Sequence, residues 1–186
     1  MLIERMWRAA MLQSALYEEV ERDEQATTQA AIVVLLVAIA TALGAYLDAA
    51  LNGAQPVGQG LLGGLVRGIV SAFVGWVVWA YVTYFVGTRL FDGKATPGEL
   101  LRTLGFAESP AVLHVFQFIP VLGAVISFVV AIWLLVAGIV AVRQALDFST
   151  GKAIATAFIS WLALVIVAFI ALLIGGGLIG AVVPRF

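Results

Sequence analysis

The chain contains no cysteine, a single histidine and charge on only 11% of its residues. Without cysteine there are no disulfides, no thiol nucleophile and no thiolate metal site. One histidine leaves no imidazole cluster for zinc or iron, so neither a metal nor any other cofactor is expected. The ten lysines and arginines are scattered and balanced by eleven acids, which leaves no basic stripe for nucleic acid. Also missing are a Gly-x-Ser-x-Gly elbow, a Walker loop and a His-Glu-x-x-His pair. Ser149-Thr150-Gly151-Lys152 lacks the glycine spacing of a phosphate loop. Catalysis is therefore not expected.

What the chain does have is apolar residues: 63% of the total, with a mean hydropathy of +1.09. They form long blocks at Ala30–Leu47, Gly68–Val86, Val121–Val142 and Ala153–Ile174. Each block has roughly the 17–25 residues a helix needs to cross a bilayer core. A shorter fifth block, Leu104–Ile119, carries Glu108 and His114. None shows the period-two alternation of barrel strands, and in hydrocarbon only helices and closed barrels satisfy their own backbones. The expectation is an all-α membrane protein with five transmembrane helices, the third short and kinked. A cytoplasmic arm, residues 1–29, precedes a membrane domain, residues 30–186. No cleavable leader is read in the arm, so the first span serves as the insertion signal.

With five spans and a cytoplasmic N-terminus, Arg5, Arg8, Arg22, Arg89, Lys94, Arg102, Arg143 and Lys152 lie inside, and only Arg67 and Arg185 lie outside. A re-entrant third block would make the split seven to three. The positive-inside rule favours five spans in a cell membrane, with the C-terminal Phe186 external.

Leu2–Val20 reads as an interfacial amphipathic helix with Trp7 at headgroup level. Glu18, Glu19, Glu21, Asp23 and Glu24 outnumber Arg22 and, with Tyr17, make a candidate partner patch; a solvated helix end is the simpler reading. Asp48 and Arg67 end consecutive antiparallel spans and are a candidate outer ion pair. Gly60, Gly64 and Gly68, echoed by Gly176 and Gly180, form a small-residue ridge for helix packing within the chain or between copies. Thr96-Pro97-Gly98-Glu99 is a capping box with proline at the first helical position. In the third block, Pro110 predicts a kink. Glu108, His114 and Gln117 there are the candidate intramembrane polar site. Glu108 and His114 nevertheless stand about 120° apart on an ideal helix.

Three runs carry a family resemblance. They are Leu16-Tyr17-Glu18-Glu19-Val20, the run from Gly98 to Ala107 followed by Pro110, and Ile132-Trp133 continuing through Val142-Arg143-Gln144-Ala145-Leu146-Asp147 to Lys152-Ala153. From about Tyr17 to Trp161 the chain resembles the bacterial branch of the Yip family, whose eukaryotic members are Rab-GTPase-interacting membrane proteins. The resemblance implies five spans, a cytoplasmic N-terminus and a non-enzymatic role. The Asp-Leu-Tyr-Gly-Pro motif of eukaryotic relatives has no counterpart here, so Rab binding is not carried over. The expected function is a membrane scaffold or adaptor working through its arm and inner loops. Its partners would be the bilayer and another membrane or cytoplasmic protein, or a second copy of itself. The alternative is a small transporter or channel subunit built on the polar groups of the third block.

Overall fold

The structure, a computed structural model, describes residues 1–52 and 61–182, with the side chains of the last helix described through Ile166 and at Phe169. Gly60, Arg185 and Phe186 lie outside the described residues, as do the surroundings of Gly176 and Gly180. Seven α-helices and one 3-10 segment make up the described residues: α1 (Leu2–Ala10), α2 (Ser14–Arg22), α3 (Ala26–Asn52), α4 (Leu61–Leu90), α5 (Pro97–Ala107), the 3-10 segment (Ser109–Phe116), α6 (Leu122–Ala145) and α7 (Thr150–Val182). Three of them, α3, α4 and α6, are long and apolar enough to cross a membrane; the described apolar stretch of α7 is Thr150–Ile166. Valines at positions 66, 70 and 74 of α4, and Phe128, Ile132 and Leu135 of α6, recur at helical spacing on the outside of the bundle. Such stripes suit a hydrocarbon solvent.

The third block is two pieces rather than one kinked α-helix. Thr96 and Glu99 cap α5 reciprocally, with Glu99 N donating to Thr96 Oγ1 at 3.3 Å and Thr96 N to Glu99 Oε2 at 2.9 Å. After Ala107 the backbone tightens into the 3-10 segment, with Pro110 near its start. A 3-10 helix rises about 2.0 Å per residue against 1.5 Å in an α-helix, so a short stretch reaches further. The two pieces run parallel to α3. Arg102 Nη1 donates to Thr27 Oγ1 at 3.4 Å near one end of α3. Gln117 Nε2 donates to the Thr41 carbonyl at 3.0 Å, and Asn52 Nδ2 to the Phe118 carbonyl at 2.9 Å near the other.

The approach is close because glycines permit it. A Cβ on Gly44 would strike the His114 carbonyl oxygen, and one on Gly105 would stand 2.8 Å from Ala30 Cβ.

The arm is also two pieces rather than one helix over Leu2–Val20. The chain turns at Leu12, whose φ is 58°, and α2 folds back on α1. Opposite charges on the two helices hold the hairpin: Arg5 pairs with Glu19 at 2.8 Å and Asp23 at 2.9 Å, and Arg8 with Glu19 at 2.7 Å. Leu16, Tyr17 and Val20 are buried in the same core as Leu100, Phe106, Val142 and Leu146. Trp133, midway along α6, donates its indole N–H to the Ala10 carbonyl at 2.7 Å. Arm and bundle therefore share one core, and α1 leaves Ile3, Trp7 and Met11 exposed along one side.

Gly44→Ala should lower the thermal stability of the detergent-solubilised protein by about 1–3 kcal/mol, the usual cost of overpacking. Gly138→Ala, where an added Cβ meets nothing within 4 Å, should leave it unchanged. Circular-dichroism melts compare the two.

Candidate functional site at the arm end of the bundle

Two connections meet at the end of the bundle where α4 finishes and α7 begins. Asp92-Gly93 turns the chain after α4, with Asp92 at φ 58°, a conformation Asp tolerates better than most residues. Gly93 N donates to the Gly87 carbonyl at 3.0 Å and closes that turn. α6 ends in a Schellman arrangement: Phe148 N donates to the Arg143 carbonyl at 2.9 Å and Asp147 N to the Gln144 carbonyl at 3.1 Å. Asp147, at φ 52°, stands where glycine is usual.

Phe91 and Phe148 meet edge to face with centroids 6.3 Å apart. Lys152 Nζ donates to the Phe91 carbonyl at 3.0 Å and lies 5.6 Å from the centre of the Phe148 ring. Between the two connections is an open cleft of about 450 Å³, bordered by Asp92, Lys94, Asp147, Ser149 and Lys152. Its mixed charges suit polar rather than apolar contacts.

The docked arm forms the neighbouring wall. Arg102 is buried, and its Nε donates to the carbonyls of Val20 at 2.9 Å and Glu21 at 3.1 Å, while Nη2 also reaches Glu21. Those carbonyls belong to the last turn of α2, where no intrahelical donor remains, and the partial negative charge of a helix end favours a cation.

Most of the expected partner patch is used inside the chain. Tyr17 is buried and its hydroxyl donates to the Ala9 carbonyl at 3.2 Å. Glu18 accepts from Gln144 at 2.9 Å, and Glu19 and Asp23 hold the hairpin. Of the six residues, Glu24 is exposed with no side-chain partner among the described residues. Glu19 is held below the usual carboxylate range by its hydrogen bond from Arg8, partly offset by burial, and then by Arg5. Glu21 is pushed up to about 7, first by burial and then by the nearby charges of Glu99, Asp147 and Glu18, against a lowering by Arg22.

The other expected sites come out differently. No side-chain hydrogen bond joins Glu108, His114 and Gln117: Glu108 stands at the junction of α5 and the 3-10 segment, and the Gln117 side chain is tied to α3. The ion pair expected between Asp48 and Arg67 is not formed; Asp48 accepts from Asn52 at 2.6 Å, and Arg67 borders a recess between α3 and α4. Gly64 and Gly68 line that recess, Gly68 close to Ala42.

Sequence reading missed a different polar group. The indole nitrogen of Trp79 and the hydroxyls of Thr83, Thr156 and Ser160 are buried without hydrogen-bond partners. They sit four residues apart on α4 and on α7, helices that pack together. That i, i+4 repetition of polar residues in apolar helices was the available signal.

Two outcomes follow for the arm. Below its ordinary value of 4.5 Glu21 is protonated whether the arm is docked or free, and between 4.5 and about 7 it is protonated more when docked. Arm docking should therefore weaken as pH rises from about 4.5 to 7, and Glu21→Gln should flatten that slope. Glu19 acts oppositely, losing its contribution only as pH falls below the ordinary carboxylate range. Distances between spin labels on α1 and α6 report both. Separately, Thr83→Val and Thr156→Val should leave the melting temperature unchanged or raise it, because each removes an unsatisfied buried hydroxyl.

A family model described as the Yip1 domain matches residues 12–172. No curated protein and no solved structure shows a significant match to the chain. The matched stretch runs from the turn of the arm hairpin into α7. It takes in Arg102, the α2 end that Arg102 caps, both connections of the cleft and all the helices long enough to cross a bilayer. The chain is a membrane protein and belongs to the Yip family.

Proposed function

We propose that this protein is a non-catalytic membrane scaffold or adaptor of the Yip type, crossing the cell membrane five times with its arm end in the cytoplasm. The observation that supports the span count most directly is the bond from Lys152 to the Phe91 carbonyl. It joins the connection after α4 to the start of α7, so both lie on one side. The stretch between them then crosses an even number of times, by α5 with the 3-10 segment and by α6. A re-entrant third block would put Lys152 and Phe91 on opposite faces of the bilayer. Eight of the ten basic residues at or near the arm end favour a cytoplasmic location for it. In this reading α1 turns Ile3, Trp7 and Met11 into the inner leaflet, while the cleft between the connections receives the partner.

The cysteine-free background allows a direct test. Single cysteines at Lys94 and Ser149 should react with an impermeant thiol reagent from the same side, and one at Leu62 from the other. Labelling of Lys94 and Ser149 from opposite sides would overturn the five-span reading. For function, a photo-crosslinking residue at Lys94 or Ser149 should capture a defined protein partner in native membranes, and one at Leu62 should not. The transporter alternative makes the contrary forecast: a proton flux in reconstituted vesicles that Glu108→Gln abolishes. The scaffold reading expects no flux above that of empty vesicles.

A further inference from the structure

The recess between α3 and α4 lies toward the end of the bundle opposite the arm and has a volume of about 360 Å³, within the ~300–1,000 Å³ of small-ligand clefts. Its α3 wall includes Ala38, Ala42 and Ala45, and its α4 wall Gly64, Gly68 and Ala72. At its floor the helices touch, since a Cβ on Gly68 would lie 3.7 Å from that of Ala42. At Gly64 the space is open, and an added Cβ meets nothing within 4 Å.

One charged side chain borders this apolar slot. Arg67 is exposed, with neither an ion pair nor a hydrogen bond among the described residues. Arg67 lies six residues into α4, about 9 Å below its first residue, Leu61, and its neighbour Gly68 faces Ala42. A guanidinium at that depth must reach the headgroup region or find an anion. Asp48, on the neighbouring helix, forms no ion pair with it and accepts from Asn52.

We propose that the recess seats one phospholipid of the leaflet opposite the arm, with an acyl chain between α3 and α4 and the phosphate on Arg67. Planar guanidinium meets phosphate through two parallel hydrogen bonds, the geometry in which arginine binds most strongly. A second copy of the chain is the other occupant such a slot could take. A two-fold contact with its axis at the mouth of this recess would bring Arg67 near its own symmetry equivalent, a like-charge meeting that the lipid avoids. The proposal goes beyond the scaffold reading and stands or falls separately from it, because it concerns the opposite end of the bundle.

Native mass spectrometry of the full chain, released from detergent with added lipid, tests it. The probes are phosphatidylglycerol, phosphatidylethanolamine and diacylglycerol carrying the same acyl chains. The wild type should retain one copy of either phospholipid about tenfold more tightly than diacylglycerol, the discrimination a charge-assisted phosphate contact supplies. Arg67→Gln should abolish that discrimination, and Arg67→Lys should restore part of it. Gly64→Leu should fill the slot and weaken retention of all three lipids, while Val74→Leu on the exposed outer stripe changes nothing. Melting temperatures confirm that each variant is folded. Discrimination that survives Arg67→Gln, or retention indifferent to Gly64→Leu, would overturn the proposal. So would a wild-type dimer that Gly64→Leu converts to a monomer, since a second copy would then occupy the recess.

Discussion

A single buried guanidinium, that of Arg102, holds together parts of the molecule that are far apart in sequence. The end of α2 leaves carbonyl groups with no helical donor, and a buried orphan of that kind is costly. Arg102 reaches them from α5, and it also touches Thr27 at the start of α3. The forked cation thus binds arm, first long helix and third block in one contact. Lysine, with a single nitrogen, could not cover the same set. Where the arm sits, and how α5 enters the bundle, both depend on this bond network.

The third block covers more height per residue than a plain α-helix because the backbone changes its pitch. Every N–H and C=O in hydrocarbon needs a partner within the protein. A 3-10 segment keeps such partners while gaining height, and the bonds from Gln117 to Thr41 and from Asn52 to Phe118 secure its far end to α3. Gly44 and Gly105 are the price of that proximity, since any side chain there would push the two segments apart. Of the polar residues that suggested a transport path, Gln117 is engaged in this contact.

At the arm end, charge serves mainly to assemble the protein. Arg5, Arg8, Glu19 and Asp23 close the hairpin, and Lys152 joins the two connections. What is left facing outward includes the mixed-charge cleft and, on α1 and its C-cap, the uncovered Ile3, Trp7 and Met11.

The alternation of apolar blocks with short polar breaks was enough to identify a helical membrane protein, because bilayer thickness sets a length that ordinary cores do not demand. The capping box of Thr96 and Glu99 was equally legible, since it depends only on neighbours three residues apart. The break at Leu12 was not, for its positive φ is carried by a leucine rather than by the glycine that usually signals such a turn. Nor were the fates of Tyr17, Glu18 and Asp48 legible. An acidic or aromatic residue on a helix looks the same in sequence whether it meets solvent, Gln144, Asn52 or a buried carbonyl. Local spacing and hydrophobic length were written in the chain itself. Pairings across distant segments, from Arg102 to α2 or Lys152 to Phe91, were decided only when tertiary packing brought donors and acceptors together.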